Sequence, residues 1–265
     1  MTVRPAMSEV GRTVPHVSNQ AMQGPPSACG VVELRQYLMQ PGQRDELIML
    51  FEREFLETQE DQGMAVLGTF RDLDRQDWFV WLRGFAGMAS RHRGLEAFYR
   101  GPVWARHRTA ANATMIDSDD VLLLRPLVPY RPLAGVASSR PAVGSAQPQS
   151  LVVVTIWPSA TAVDDDLRTI LRERVDPMLA ESGSTTVALL ETEPAVNTFP
   201  GLPVREGEHV LVRIARYDDV AAYERHLGRL AQSAEWPAAA EALATYTTGE
   251  PTTLRLEPTP RSILA

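Results

Sequence analysis

Residues 31–38 read VVELRQYL, and this stretch decides how the first half of the chain folds. Apolar and polar side chains alternate along it, which is the two-residue period of a β-strand. Alternate side chains share one face of a strand, so one face is apolar and the other polar. The two sets are Val32, Leu34 and Leu38, and Glu33, Arg35 and Tyr37. We expect the apolar set to pack against helices and the polar set to face away from them.

The pattern after this strand predicts one compact unit that ends near residue 127. In chain order it predicts an amphipathic helix over 44–60, a hairpin of strands over 65–71 and 78–85, helices over 88–99 and from Pro102, and a strand over 121–125. This order is β-α-β-β-α-β, the arrangement of a ferredoxin-like unit.

The second half of the chain, residues 151–258, gives the same order of predicted elements. Short matches support a duplication: Leu82-Arg83-Gly84-Phe85 with Ile214-Ala215-Arg216-Tyr217, Arg91-His92 with Arg225-His226, and Trp104 with Trp236. We therefore predict an α+β chain of two tandem ferredoxin-like units, 31–127 and 151–258.

Two stretches outside these units lack a hydrophobic period. Residues 1–30 are predicted to be a disordered leader, and residues 128–150, rich in Pro, Ala, Ser and Gly, are predicted to be a linker.

The composition excludes several classes of protein. The chain has 265 residues and a formal net charge of -7, and all 26 residues of its Lys+Arg total are arginine. Without lysine it has no P-loop, no pyridoxal or Schiff-base chemistry and no protein-kinase site. The acidic balance argues against a nucleic-acid partner, and no stretch approaches the ~20 apolar residues of a membrane span. The single cysteine, Cys29, favours a reducing, cytoplasmic setting.

A set of short motifs in the first unit carries a family resemblance. The motifs are Glu33-Leu34-Arg35-x-Tyr37, Pro41-Gly42, a hairpin strand containing Trp81, and then Arg91 and Trp104. In this order they resemble the NIPSNAP family of the dimeric α+β barrel superfamily, well over 31–127 and loosely over 151–258. The resemblance implies that two units join their sheets into one barrel, here within one chain, with helices outside and a pocket within.

Proteins of similar fold include cofactor-independent quinol monooxygenases, small-ring isomerases and haem-binding chlorite dismutases, so the fold alone does not choose a reaction. In a paired barrel the polar strand face lines the interior or the seam. Its predicted wall, Glu33, Arg35, Tyr37, Trp81 and Arg83, suits an aromatic or anionic small molecule. The structural alternative is that Glu33 only forms an ion pair with Arg35 or Arg83. Less polar counterparts in the second unit favour one pocket per chain.

His92 is the candidate proton acceptor. Its spacing places it with Met88, Leu95 and Tyr99 in the apolar stripe of its helix. Burial there keeps an imidazole neutral near pH 7, as a general base requires. The alternative is a core histidine bonded to a backbone carbonyl. His226, by contrast, is predicted to lie beside the stripe of its own helix.

We therefore expect a small-molecule enzyme that works without flavin, nicotinamide, metal or another cofactor. Its reaction would be proton transfer, as in an isomerase, cyclase, lyase or cofactor-free monooxygenase. The expected roles are His92 as base with Glu33 behind it, Arg35 and Arg83 on an anionic oxygen, and Tyr37 and Trp81 on a ring. The alternatives are a non-catalytic ligand-binding or scaffolding module and a haem-binding barrel. The expected partner is a small molecule, and association of chains through the barrel exterior stays open.

Overall fold

A computed structural model describes residues 24–127, 133 and 140–265. The predicted leader up to residue 23, and residues 128–132 and 134–139 of the predicted linker, lie outside the described residues. Within the described part of the chain, no helix is long and apolar enough to cross a membrane.

The first unit has the predicted order of elements. They are β1 (Val31–Met39), α1 (Arg44–Leu50, the π-helical segment Phe51–Phe55, and Leu56–Glu60), β2 (Ala65–Asp72), β3 (Trp78–Phe85), α2 (Met88–Tyr99), α3 (Pro102–Ala113) and β4 (Met115–Pro126). Strand β4 begins earlier than predicted. Its first residues are mostly polar and show no strand period, yet they pair with the end of β1 through Met39 and Met115.

The second unit repeats the first. Its elements are β5 (Leu151–Ser159), α4 (Asp165–Ile170, the π-helical segment Leu171–Val175, and Asp176–Glu181), β6 (Thr185–Thr192), β7 (His209–Tyr217), α5 (Val220–Gln232), α6 (Trp236–Ala244) and β8 (Thr252–Pro258). In both units a π-helical segment interrupts the first helix after about two turns. This shared irregularity supports the duplication, because π-helical segments are rare.

All eight strands close into one barrel with the order β1-β3-β2-β8-β5-β7-β6-β4. The two sheets join at two antiparallel seams, β2 with β8 and β4 with β6. Arg71 lies opposite Glu257 at one seam, and Arg125 lies opposite Glu191 at the other. The chain is therefore an α+β protein whose tandem ferredoxin-like units pair as an intramolecular dimeric α+β barrel.

The interior of the barrel is packed with aliphatic side chains. One buried cluster receives residues from every strand, which only side chains pointing to the barrel axis can do. Among them are Val32, Leu82, Leu122, Val154, Ala188 and Leu256. Burial of this shared surface is the main force that holds the two units together.

The expected orientation of β1 is wrong. Val32 and Leu34 belong to the barrel interior, whereas Tyr37 and Trp81 pack with the side chains of helices α1 and α2. In a closed barrel both faces of a strand are buried, one by strands and one by helices. A two-residue period separates the faces but does not say which of them meets the helices.

The described ends of the leader and the linker are packed against the barrel. Cys29 is fully buried, and its backbone N–H donates to the carbonyl of Leu133 at 3.0 Å. Arg140 forms an ion pair with Glu60 of α1 and donates to the carbonyl of Arg261 at 2.7 Å. These described segments therefore belong to the folded structure.

Leu256→Ala should lower the free energy of unfolding by about 2–5 kcal/mol, because it leaves a cavity in a core that both units share. Both units should still unfold in one transition, measured by urea denaturation with tryptophan fluorescence and circular dichroism. Leu73→Ala is the matched control, because Leu73 is 41% exposed and should change stability by less than about 0.5 kcal/mol. Two separate transitions for the wild-type chain would contradict a single shared core.

Candidate functional site

A cavity of about 450 Å³ lies between the first sheet and helices α1, α2 and α3. This volume is within the usual range of small-molecule sites. Aromatic side chains dominate its lining: Tyr37, Phe51, Trp81, Phe98, Tyr99 and Trp104.

The π-helical segment of α1 supplies part of this aromatic wall. Phe51 meets the Trp81 ring edge-on at 4.8 Å between centroids, and Phe55 lies 5.7 Å from Trp104. Tyr37 contacts Trp81 at 5.9 Å with an angle of 84° between the rings. Edge-to-face contacts of this kind fix each ring against its neighbours. The wall is therefore formed before any ligand enters.

Behind this wall one carboxylate binds three guanidinium groups. Oε2 of Glu33 accepts from Nη1 of Arg35 at 3.0 Å and from Nη2 of Arg83 at 2.6 Å. Oε1 of Glu33 accepts from Nε of Arg91 at 2.7 Å. All four side chains are completely buried. Strands β1 and β3 and helix α2 are thus tied together at one point, which we call the Glu33 cluster.

Each arginine of the Glu33 cluster also reaches a neutral group. Arg83 donates from Nη1 to Oε1 of Gln59 at 2.9 Å, and Arg35 donates from Nε to the hydroxyl oxygen of Tyr37 at 2.8 Å. Because the Tyr37 oxygen accepts this bond, its own proton is free to be donated elsewhere. Tyr37 lines the cavity, so it connects the cluster to the cavity.

The Glu33 cluster contains three positive charges and one negative charge, which leaves two positive charges without a carboxylate partner in it. Burial alone raises the pKa of Glu33, but Arg83, Arg35 and Arg91 outweigh it and hold that pKa far below its usual range. Burial also raises the pKa of Tyr37, so its hydroxyl stays protonated at neutral pH. The cavity wall therefore offers a neutral donor backed by buried positive charge.

Two buried donors at the cavity wall and the Glu33 cluster have no hydrogen-bond partner among the described residues. They are Nε1 of Trp81 and Nη2 of Arg91. Buried donors in native proteins are normally paired, so each unpaired one calls for an explanation. Trp81 also lines the cavity, and a ligand with acceptor atoms would supply a partner there.

The second unit completes this cavity. Phe199 and Leu202, from the loop between β6 and β7, are part of the lining. Arg91 donates from Nη1 to Oδ1 of Asn197 at 2.9 Å, which ties the loop to the Glu33 cluster. The sequence indicates a longer loop here, but no pattern in it shows that the loop crosses to the other unit.

The structure separates the predicted site residues into three groups. Tyr37 and Trp81 line the cavity, and Glu33, Arg35 and Arg83 lie behind them in the cluster. His92 lies outside the lining, with a side chain that is 47% exposed, so the predicted burial is wrong. Helix α2 instead buries Arg91, Gly94, Leu95 and Phe98. The His92 ring lies 2.8 Å, through Nδ1, from the carbonyl of Thr198, so it helps to hold the loop.

Among the described residues, His226 is the histidine that is buried, at 3% exposure, although its helix pattern predicts otherwise. The proposed match of Arg91-His92 with Arg225-His226 is out of register by two residues. Counted from the starts of α2 and α5, His226 corresponds to Gly94 and His92 corresponds to Glu224. The two histidines thus occupy helix positions two residues apart. Positions two residues apart lie on opposite sides of a helix, which explains why one histidine is exposed and the other is buried.

The described residues contain no group of three or more His, Cys, Asp or Glu side chains placed to hold a metal ion.

Comparison with solved structures supports the barrel. An anthrone oxidase-like protein superposes with a TM-score of 0.56 at 16% identity, covering 86% of this chain and 91% of its own. A candidate monooxygenase from Fusobacterium nucleatum gives 0.55 at 9% identity, covering 88% and 93%. One from Lactobacillus acidophilus gives 0.51 at 12% identity, covering 89% and 98%. At such low identities the likeness establishes the fold alone.

No curated protein matches this chain in sequence. The NIPSNAP family model, however, matches residues 32–129, which span β1 to β4. The match starts one residue after β1 begins and ends shortly after β4, so it covers one complete structural unit. The first unit of this chain is therefore similar to the NIPSNAP family over its whole length, and the same polypeptide carries a second ferredoxin-like unit that completes the barrel.

Proposed function

We propose that this protein is a small-molecule enzyme that binds an aromatic ligand with an anionic oxygen in the first cavity. The chemistry would be proton transfer without a bound cofactor. The observation that carries the proposal is the 2.8 Å hydrogen bond from Arg35 to the hydroxyl oxygen of Tyr37. It leaves the Tyr37 proton for a ligand and places buried positive charge directly behind it.

The proposed mechanism is stabilisation of a developing oxyanion. When a carbonyl compound loses a proton to become an enolate or phenolate, negative charge gathers on its oxygen. A fixed donor in a water-poor site stabilises that charge without having to reorganise. Tyr37 would donate to this oxygen, and Arg35 would polarise the Tyr37 hydroxyl. Asp119 is the candidate acceptor of the released proton, because it is the carboxylate that the described lining supplies.

The position of His92 favours a second candidate function. With His92 outside the cavity lining, the site lacks the buried base that the sequence predicts, and this supports non-catalytic binding of the same class of ligand. The two functions share the binding step and differ only in turnover. Binding is therefore the step to test first.

The probe for this step is 2-naphthoate, an aromatic carboxylate that fits the proposed ligand class. Tyr37→Phe should weaken its binding by roughly 10- to 100-fold, because the variant loses a hydrogen bond to a charged group and keeps the ring. Isothermal titration calorimetry and quenching of tryptophan fluorescence would measure the change. Uncharged naphthalene should bind wild-type protein and Tyr37→Phe equally.

The matched control is Tyr246→Phe, which makes the same chemical change in the second unit, outside the lining of this cavity. It should leave the affinity for 2-naphthoate unchanged. If wild-type protein bound naphthalene as tightly as 2-naphthoate, or if Tyr37→Phe had no effect, the proposed anion site would be wrong.

His92→Gln tests whether His92 acts inside the site. We expect the affinity for 2-naphthoate to stay within about threefold of wild type, because a rim residue that only holds a loop contributes little direct binding energy. The measurement is the same titration, with the dissociation rate followed by stopped-flow fluorescence. A loss of affinity as large as that of Tyr37→Phe would show that His92 contacts the ligand.

Glu33 is proposed to act as a positioning residue. Glu33→Gln should cost about 3–5 kcal/mol of stability at pH 7, since it leaves three buried guanidinium groups without a counter-charge. The folded-state pKa of Glu33 is lowered, so its contribution is complete above about pH 5 and declines as the unfolded chain takes up the proton, near pH 4.3. The difference between wild type and Glu33→Gln should shrink by about 1 kcal/mol at pH 3.5.

Urea denaturation at the two pH values would measure both effects. The double variant Glu33→Gln/Arg91→Met should recover part of the loss, because it removes one of the uncompensated charges. A stability of Glu33→Gln equal to wild type at pH 7 would show that the cluster does not carry the net charge assigned to it.

A further inference from the structure

A second cavity, of about 590 Å³, lies between the second sheet and helices α4, α5 and α6. Its walls are mostly aromatic and aliphatic, with Arg213 from β7 and His226 from α5 as the buried polar side chains and with threonines and the exposed Glu250 toward its edge. The residues that matter here are Trp157, Tyr217, Tyr223, Trp236, Arg213 and His226. The expectation of one pocket per chain is therefore wrong, because each unit has a cavity under its helices.

The hydrogen bonds of His226 define which of its nitrogen atoms carries a proton. Nδ1 of His226 lies 2.7 Å from Oγ of Ser182, and that hydroxyl also lies 2.8 Å from the carbonyl of Leu179. A carbonyl can only accept, so the single proton of Ser182 is used there. Ser182 then accepts from Nδ1–H of His226, and Nε2 of His226 keeps its lone pair.

The surroundings of His226 keep the imidazole neutral. Burial, together with the positive charge of Arg213, holds the pKa of His226 below its ordinary value. The ring is stacked on Tyr223 with an angle of 25° between the planes, and it contacts Tyr217 at 5.2 Å. The histidine is thus fixed in a neutral form with one acceptor atom, in a ring that lines the cavity.

The charge of this cavity differs from that of the first one. The register of the strands places Val153 and Ala215 where the first unit has Glu33 and Arg83, so the Glu33 cluster has no counterpart at these positions. Arg213 pairs with Asp176 at 3.3 Å and donates to the hydroxyls of Ser184 and Thr186. Its charge is therefore compensated within the protein, and the wall does not call for an anion.

We propose that the second cavity is a separate binding site for a neutral aromatic molecule that carries a hydroxyl group, with Nε2 of His226 accepting the hydrogen bond from that hydroxyl. The indole and phenol rings of the wall match an aromatic body. The neutral acceptor on the buried His226 ring matches a donor. The proposal stands on residues of the second unit and does not depend on the function proposed for the first cavity.

The probes are 2-naphthol, a neutral donor at pH 7, and 2-methoxynaphthalene, which has the same ring but no hydroxyl proton. Isothermal titration calorimetry of the full chain measures both probes in wild type and in the His226 variants described below. These variants leave the first cavity unchanged, so any heat from that cavity cancels in the comparison. We expect 2-naphthol to bind roughly tenfold more tightly than 2-methoxynaphthalene. Equal affinity of the two probes would overturn the proposal.

Two substitutions at His226 test the roles of its two nitrogen atoms separately. His226→Asn can still donate to Ser182 from a position like Nδ1 but has no group at the Nε2 position, so the preference for 2-naphthol should disappear. His226→Gln can place its amide oxygen near the Nε2 position, so part of the preference should remain. A preference retained in full by His226→Asn would overturn the assignment of His226.

Leu227→Trp covers the case in which the buried substitutions prevent folding. Leu227 lines the cavity and is 45% exposed, so a larger side chain there should narrow the cavity without disturbing the core. We expect it to weaken 2-naphthol at least fivefold and to leave 2-naphthoate unchanged. If 2-naphthol binding survived Leu227→Trp, the probe would bind elsewhere and the proposal would fail. The 2-naphthoate result separately reports on the first cavity.

Discussion

The carboxylate of Glu33 is the contact on which the first unit depends, because three buried guanidinium groups converge on it. Through Arg83 it holds β3 to β1, and through Arg91 it holds α2 and the loop that carries Asn197. Through Arg35 it fixes the hydroxyl of Tyr37. Separating a buried ion pair leaves an uncompensated charge away from water, which costs several kcal/mol of stability. The cluster therefore favours one arrangement of these elements.

The same cluster explains why the two cavities differ although they occupy equivalent places in the fold. Where the first unit has Glu33 and Arg83, the second has Val153 and Ala215. The arginine that lines the second cavity, Arg213, forms an ion pair with Asp176. One cavity is thus backed by surplus positive charge and the other by a neutral imidazole. Fold position supplies the space, and a few strand residues set the chemistry of each space.

The order of elements could be predicted from the sequence because helical and strand periods are local properties. Residues 88–99 and 78–85 illustrate this, since predicted and observed limits coincide. The face of β1 could not be predicted, because closure of the barrel buries both of its faces. Whether His92 and His226 are buried depends on how α2 and α5 are rotated about their axes. A small error in placing the apolar stripe reverses that assignment. Contact of Asn197 with Arg91 is set by tertiary structure, and no sequence spacing encodes it.

The strand order places four strands from each half of one polypeptide in a single closed ring. In a barrel made from two identical subunits, every substitution appears twice and both pockets must change together. Fusion of the halves removes this symmetry, so a gene can alter one pocket while the other is kept under selection. The constraint that remains is mechanical: each half supplies the edges that the other half needs, and neither can be lost while the ring stays closed.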